Sequence, residues 1–142
     1  MQTPAADIAQ LIETFKRAAF DKDVSRFLSL YDENVIIFDL WQTWEHRGIA
    51  AWRIAVVEWF TSTGENRDAV SFEEVSVAGN GDVCFVHAMI KFSCVSPEGN
   101  VLRAMHERLT WGLVKKTSWK IVHQHTSAPV DGADCKLIFE KN

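Results

Sequence analysis

The chain has 142 residues, of which 47% are hydrophobic and 24% are charged, and its formal net charge is -4. This length suits one domain with its own core, and the acidic balance argues against nucleic acid as the main partner. No apolar run approaches the roughly 20 residues of a membrane span, and the first ten residues lack a signal-peptide pattern. We therefore expect a cytoplasmic protein without membrane contact. Three cysteines without paired spacing indicate neither a disulfide framework nor a zinc site.

The first part of the chain predicts three helices and one short strand. The first helix is expected to begin at Pro4 with Thr3 as its cap, and Asp23 can cap a short second helix. Val35–Phe38 is an apolar run typical of a buried strand, and a third helix is expected between Gly48 and Gly64. The stripes expected to face the core are Ile8, Leu11, Ile12, Phe15 and Ala19 in the first helix, Phe27, Leu28 and Tyr31 in the second, and Ile49, Trp52, Val56, Trp59 and Phe60 in the third.

The second half of the chain predicts four antiparallel strands joined as a meander. Their expected ranges are 69–78, 83–95, 101–114 and 119–127. The alternation slips at Glu73-Glu74, which indicates a bulge, and Gly79–Asp82 contains the Asn-Gly pair of a tight hairpin. Helices followed by strands predict an α+β domain, with three N-terminal helices packed on a strongly curved antiparallel sheet that encloses a pocket.

Several local motifs point to a known family. They are Phe38-Asp39-Leu40, Arg47-Gly48 and Ala51-Trp52, and more specifically Arg108–Leu113 (RLTWGL) and Trp119–Pro129 (WKIVHQHTSAP). With these motifs the chain resembles the SnoaL-like branch of the nuclear transport factor 2-like superfamily. That superfamily includes ketosteroid isomerase, scytalone dehydratase and the association domain of calmodulin-dependent kinase, the branch that shares the histidine-rich ending. The resemblance implies a cone-shaped, cystatin-like α+β barrel over residues 1–142, with a core at about 5–130 and a tail at 131–142. The fold alone does not select a function.

Polar groups in the last two strands are candidates for a cavity wall. Simple alternation places His123 and His125 on the face of the last strand that also carries Trp119 and Ile121, which predicts that both histidines face the cavity. There His125 could carry a proton near neutral pH, or a histidine could fill the core and bond to backbone or Tyr31. An inward Arg108 would need Asp39 or an anionic ligand as its partner, and an outward Arg108 would join a dimer interface.

Asp39 is the candidate general base. The resemblance implies a position by the pocket mouth, where the neighbouring Trp41 and Trp44 would raise the pKa of the carboxyl by desolvation. A turn-forming role is equally compatible with the sequence. The tyrosine and acid pair of ketosteroid isomerase is not recognisable, since Tyr31 is the single tyrosine, so steroid isomerisation is not predicted.

These observations predict a small-molecule pocket with Asp39, Arg108 and His125 as catalytic residues. The predicted ligand-binding residues are Trp41, Trp44, Trp52, Phe60, His106, Thr110 and His123. We expect no metal and no cofactor, because the histidines lack metal-ligand spacing. One hypothesis is acid–base chemistry without a cofactor, of the isomerase, dehydratase or cyclase kind, on a small carbonyl or carboxylate compound. The other is a non-catalytic binding or dimerisation module.

A homodimer formed through the outer face of the sheet is expected under either hypothesis. The resemblance implies such pairing, and the apolar residues assigned to that face are too many for an exposed surface. Those residues are Phe85, Met89, Leu109, Trp111 and Leu113. The apolar residues of the tail, Cys135, Leu137, Ile138 and Phe139, are expected to pack on the domain or across the dimer.

Overall fold

The computed structural model describes residues 4–141, so Thr3, the predicted cap of the first helix, lies outside the described residues. The elements follow in the order α1 (Pro4–Asp21), α2 (Val24–Leu28), β1 (Tyr31–Phe38), β2 (His46–Arg47), α3 (Gly48–Ser62), β3 (Arg67–Asn80), β4 (Val83–Val95), β5 (Val101–Lys115) and β6 (Trp119–Ser127). The predicted α+β class is confirmed. The two-residue strand β2 was not predicted, and Tyr31, which was predicted for the second helix, begins β1 instead.

The strands form one sheet in the order β2-β1-β6-β5-β4-β3. All neighbours are antiparallel except β1 and β6, which run parallel. The predicted sheet was antiparallel throughout, because the sequence shows a strand before α3 and not which strand it will join. The parallel pairing places the end of β1 beside the end of β6, and this position holds the candidate site.

The helices pack on the concave face of the sheet through the predicted stripes. In α1 every residue of the predicted stripe is buried, and in α2 the Asp23 carboxylate accepts a hydrogen bond from the Arg26 backbone N–H at 3.1 Å, as a capping residue does. Largest among the fully buried side chains are Trp111, Phe27, Ile8, Ile37 and Ile90. None of the helices formed by residues 4–141 combines the length and the apolar character that crossing a bilayer would demand.

Two irregularities decide which side chains reach the concave face. The first lies in β3, where the register shifts between Glu73 and Ser76 and Glu74 has a φ of +53°, which confirms the predicted bulge. The second lies in β6: Ile121 pairs with Leu113 whereas His123 pairs with Gly112, so β6 contains one extra residue, Val122. Because neighbouring strand residues point to opposite faces, this extra residue reverses the facing of the rest of β6.

Candidate functional site

A cavity of about 690 Å³ lies between α3, the concave face of the sheet, the loop after β1 and the C-terminal tail. Its walls carry aromatic rings from α1, α2, α3, β4, the loop and the tail: Phe15, Phe27, Trp41, Trp52, Trp59, Phe92 and Phe139. A volume of this size accommodates a drug-sized organic molecule, and the aromatic rings provide apolar contact. The polar groups that line the same cavity are the candidates for recognition and chemistry.

Asp39 lies in the cavity wall, as predicted, directly after β1. Its Oδ1 accepts a hydrogen bond from the Thr126 hydroxyl at 3.2 Å, and Oδ2 lies 3.4 Å from the Trp41 backbone N–H, which donates to it. Burial raises the pKa of the Asp39 carboxyl above its ordinary value, while the hydrogen bonds from Thr126 and Trp41 oppose that rise. The result is a half-buried carboxyl of increased basicity that faces an apolar space.

Glu107 is a second carboxyl in the same cavity, and the sequence interpretation missed it. The residue lies in the middle of β5 and is only 6% exposed. Burial, reinforced by the nearby charge of Asp39 and opposed by a hydrogen bond with Thr126, raises the pKa of Glu107 to about 7. Because the charge of Asp39 is among the causes that raise the pKa of Glu107, Asp39 is the carboxyl that ionises first, and Glu107 is partly protonated near neutrality.

The alternation of buried and exposed residues in β5 could have shown that Glu107 lies on the cavity face. In this strand the buried residues Leu109, Trp111 and Leu113 alternate with half-buried or exposed ones, and Glu107 continues the buried series. The sequence interpretation assigned Leu109, Trp111 and Leu113 to an outer dimer face. This assignment is wrong, because the three side chains are at most 2% exposed and pack in the core beneath the helices.

Gln124 and Thr126 occupy the cavity positions of β6 that were predicted for histidines. Gln124 is 4% exposed and Thr126 is 6% exposed, and both line the cavity. The cause is the extra residue at Val122, which reverses the facing of the strand after Ile121. Simple alternation therefore describes Trp119 and Ile121 correctly and fails for every later residue of β6.

The prediction that His123 and His125 face the cavity is wrong, since both rings lie on the outer face of the sheet. There they pack edge-on against Phe38, with ring centroids at 4.8 Å and 5.6 Å. The Nδ1 atom of His123 lies 2.8 Å from the Ile36 backbone carbonyl, so the ring donates to that oxygen in the tautomer that carries a proton there. Neither ring lines the cavity.

Arg108 and Thr110 share the outer face, because Glu107 and Leu109 occupy the inner one. The Arg108 Nε–H donates to the Ser127 hydroxyl at 3.0 Å, and the side chain is exposed. His106 also lies away from the cavity: its Nε2 is 3.7 Å from the Glu73 carboxylate, and its Nδ1 accepts from the Lys141 backbone N–H at 3.5 Å. The predicted cavity positions of these three residues are therefore corrected, and Asp39 alone of the three predicted catalytic residues reaches the cavity.

The predicted aromatic ligand-binding residues divide into two groups. Trp41 and Trp52 line the cavity, whereas Trp44 is 94% exposed in the loop and Phe60 is buried in the core without lining it. The indole N–H of Trp52 lies near the Tyr31 hydroxyl, but within residues 4–141 it has no hydrogen-bond partner of normal geometry.

The charged groups of the cavity are mostly acidic. Besides Asp39 and Glu107, the lining includes Glu58 and Asp68, and Arg103 is the single basic residue among the described lining residues. Asp68 accepts a hydrogen bond from the Trp59 indole N–H at 2.6 Å. This balance disfavours an anionic ligand, since like charges repel most strongly where water is scarce. Among residues 4–141, moreover, no cluster of His, Cys, Asp and Glu has the arrangement of a metal site.

The C-terminal tail closes one side of the cavity. The Phe139 ring stacks on Trp41 with a centroid separation of 5.5 Å and an interplanar angle of 21°. The backbone holds this segment in place, because His106 N–H donates to the Phe139 carbonyl at 2.7 Å and Ile138 N–H donates to the Pro129 carbonyl at 2.8 Å. The expectation that the tail packs on the domain holds for Phe139, whereas Leu137 and Ile138 remain 37% and 42% exposed.

Comparison with known proteins assigns a family but no reaction. The sequence model of the SnoaL-like domain matches residues 8–131. An NTF2-like protein of unknown function from Pseudomonas putida superposes with a TM-score of 0.85 at 23% identity, over 100% of this chain and 99% of that one. Aln2 from a Streptomyces species superposes with a TM-score of 0.78 at 11% identity, over 89% of this chain and 93% of that one.

A third similar structure is that of a protein from Xanthomonas campestris proposed to be a calcium/calmodulin-dependent protein kinase II association domain. Its TM-score is 0.76 at 15% identity, over 90% of this chain and 89% of that one. No curated protein matches the sequence. At such low identities these likenesses establish the fold and leave the chemistry to the residues of the cavity.

Proposed function

The chain belongs to the SnoaL-like domain family, and from its cavity we propose that it binds a small, largely apolar carbonyl compound and transfers a proton on it without a cofactor. The observation that supports this proposal is the pair of carboxyls, Asp39 and Glu107, in one cavity with several aromatic rings in its wall, close enough for the charge of Asp39 to act on Glu107. The negative charge of Asp39 favours the protonated form of Glu107, so one carboxyl can act as base while the other acts as acid.

The roles of the two carboxyls follow from their charge near neutral pH. Asp39 is the base, because its carboxylate lies at the end of β1 and its basicity is increased by burial. It takes a proton from the carbon next to the substrate carbonyl, and the electron pair of the broken C–H bond moves toward the carbonyl oxygen. Glu107, still protonated below a pKa of about 7, donates a hydrogen bond to the charge that develops there. Return of the proton to the same or another carbon completes an exchange or an isomerisation.

Hydrogen–deuterium exchange tests this proposal with a named probe. The benzylic ketone 2-tetralone in D2O is followed by proton NMR in the presence of the wild-type protein, Asp39→Asn and Glu107→Gln. We expect exchange of the protons next to the carbonyl to be accelerated by the wild type and to fall by about 10²-fold or more in Asp39→Asn. His125→Ala is the matched control, since this ring lies on the outer face, and it should retain the wild-type rate. Equal rates with and without wild-type protein, for 2-tetralone and for cyclohexanone and 1-indanone, would contradict the proposal.

A second proposal concerns self-association through the outer face of the sheet. Phe38 and Phe85 are 40% and 48% exposed there, and the imidazoles of His87, His123 and His125 lie beside them. Strand pairing aligns Phe38, His125, Thr110 and His87 in one row across four strands. Partly exposed aromatic rings in such a row suit contact with a second copy of the chain. Light scattering of the wild type and Phe85→Glu tests it: a wild-type dimer that dissociates in the variant is expected, and a wild-type monomer would refute it.

A further inference from the structure

The side-chain amide of Gln124 has a fixed orientation. Its Oε1 accepts two hydrogen bonds, from the Tyr31 hydroxyl at 2.6 Å and from the Trp111 indole N–H at 2.9 Å. An indole N–H can only donate, so the amide atom that faces Trp111 must be the oxygen. Burial raises the pKa of Tyr31 well above its ordinary value, which keeps its hydroxyl protonated and able to donate. Two buried donors thus determine that the amide nitrogen points the other way.

The amide nitrogen of Gln124 has no partner within residues 4–141. Gln124 is 4% exposed and lines the cavity. Within the same residues, the Trp52 indole nitrogen is the single fully enclosed side-chain N or O atom without a hydrogen bond. The Gln124 nitrogen is also unbonded and yet is not fully enclosed, so it remains open to the cavity. The two N–H groups of the Gln124 amide, which Tyr31 and Trp111 hold in one orientation, therefore face the space in which a ligand would lie.

Gln124 is close to the proposed acid and base. It precedes Thr126 by two residues on the same face of β6, a spacing of about 6 to 7 Å along a strand. Thr126 in turn donates a hydrogen bond to Asp39, and Glu107 lines the same cavity. A ligand whose reactive carbon lies at Asp39 can therefore extend its oxygen toward Gln124 without leaving the cavity. We propose that Gln124 binds the substrate's carbonyl oxygen, and that Trp111 and Tyr31 are the positioning residues that aim its amide. This inference rests on the proposed function of the same cavity.

The donor set also narrows the class of ligand. A neutral amide stabilises partial negative charge on an oxygen without supplying the full positive charge that a carboxylate needs. The remaining charges of the cavity are Asp39, Glu58, Asp68 and Glu107 against Arg103. A neutral ketone, aldehyde or ester is therefore favoured over a free carboxylate. The carboxylate ligand that was expected to meet Arg108 has no such partner, because Arg108 lies outside the cavity.

A matched pair of ligands tests the inference. Tetralin has the same bicyclic skeleton as 2-tetralone and lacks the oxygen, so the ratio of their dissociation constants reports the carbonyl contact alone. Both are measured by tryptophan fluorescence with the wild type, Gln124→Leu, Gln124→Glu and Glu107→Gln. Gln124→Glu keeps an oxygen for Tyr31 and Trp111 and removes both N–H donors. We expect the wild type to prefer the ketone at least tenfold, and both Gln124 variants to lose most of this preference while tetralin affinity stays within about threefold.

An infrared measurement supplies a second readout. The C=O stretch of bound, carbonyl-labelled 2-tetralone should move to lower wavenumber in the wild type and return toward its value in an apolar solvent in Gln124→Leu. Trp111→Phe should give an intermediate position, because the amide loses one of the two donors that orient it. Each ratio is taken within one protein, so a loss of stability that weakens both ligands equally does not alter the result.

The outcomes separate this inference from the proposed function. If Asp39→Asn abolishes exchange, Glu107→Gln keeps the ketone preference and both Gln124 variants lose it, the proposed function and the inference both hold. If the wild type accelerates no exchange and still prefers the ketone through Gln124, the inference holds and proton transfer is wrong. A ketone preference that survives in both Gln124 variants overturns the inference. So does a wild type that binds neither 2-tetralone nor the smaller ketones, cyclohexanone and 1-indanone.

Discussion

The Thr126 hydroxyl donates a 3.2 Å hydrogen bond to the carboxylate of Asp39, although 87 residues separate the two in the chain. The same oxygen accepts the Leu40 backbone N–H at 3.1 Å. Thr126 therefore joins the last strand to the segment that leaves the first one, and it orients the candidate base. The contact exists because β1 and β6 are parallel neighbours, with Phe38 opposite His125.

Replacing Thr126 with valine should disturb the site without creating a packing cavity. The shape is kept, but Asp39 loses a donor and the Leu40 N–H loses its acceptor, so the free energy of unfolding should fall by about 1 to 3 kcal/mol. The hydrogen bond lowers the pKa of Asp39, and its loss should therefore raise that pKa further. Urea denaturation and carbon NMR titration of the Asp39 carboxyl measure the two effects. Thr110→Val on the outer face is the control, and an unchanged Asp39 titration in Thr126→Val would contradict the assignment.

Replacing Glu107 with glutamine should change how stability depends on pH. The folded-state pKa of about 7 lies above the ordinary 4.5, so between these values the folded protein holds a proton that the unfolded chain has released. Stability should therefore decline as pH rises from about 4.5 to 7, by about 3 kcal/mol in total. Glutamine cannot ionise, and the variant should lack this decline and exceed the wild type at pH 8.

Urea denaturation at half-unit pH intervals from 4 to 8 measures the effect of Glu107→Gln. Glu98→Gln, in the exposed turn after β4, provides the control and should keep the wild-type slope. Parallel slopes for wild type and Glu107→Gln would show that folding does not raise the pKa of Glu107.

Truncating Phe139 to alanine should loosen one wall of the cavity. The ring stacks on Trp41, and both residues line the cavity, so its removal should speed dissociation of 2-tetralone by several-fold and alter Trp41 emission. Stopped-flow fluorescence measures the rate. Ile138→Ala, whose side chain is 42% exposed, should leave it close to the wild-type value. Equal rates for the two variants would mean that the tail does not close the cavity.

Substitution of the predicted catalytic residues on the outer face should leave ligand affinity unchanged. Arg108 hydrogen-bonds Ser127 and His125 packs on Phe38, so neither touches the cavity. Arg108→Gln and His125→Ala should bind 2-tetralone within about twofold of the wild type, whereas Gln124→Leu should not. Calorimetric or fluorescence titration with 2-tetralone measures the dissociation constant of each variant. A large loss of affinity in His125→Ala would show that His125 takes part in ligand binding and would contradict its placement outside the cavity.

Local patterns in the sequence were sufficient for the three helices and the four strands of the meander, and not for β2. The stripe of α1, the Asp23 cap and the bulge at Glu74 depend on neighbours in the chain, and all three are confirmed. Asp39 was found because the family resemblance implied that the end of the buried run Val35–Phe38 lies by the pocket mouth; the local pattern alone was equally compatible with a turn-forming role. Glu107 was also visible, as the polar member of the buried series in β5, but the series was assigned to the wrong face.

What the sequence by itself determined is the fold class and the family, because hydrophobic periodicity and turn residues act over short distances and the closing motif is specific. What only the tertiary structure decided is which side of the sheet is inside. One extra residue at Val122 turns Gln124 and Thr126 inward and His123 and His125 outward. The parallel pairing of β1 with β6 then brings Asp39 to Thr126 and Glu107. A shift of one residue in register moves the side chains of a strand to the opposite face of the sheet, and contacts with distant residues decide which strands pair. Local periodicity therefore predicts neither the inward-facing residues of β6 nor its pairing with β1.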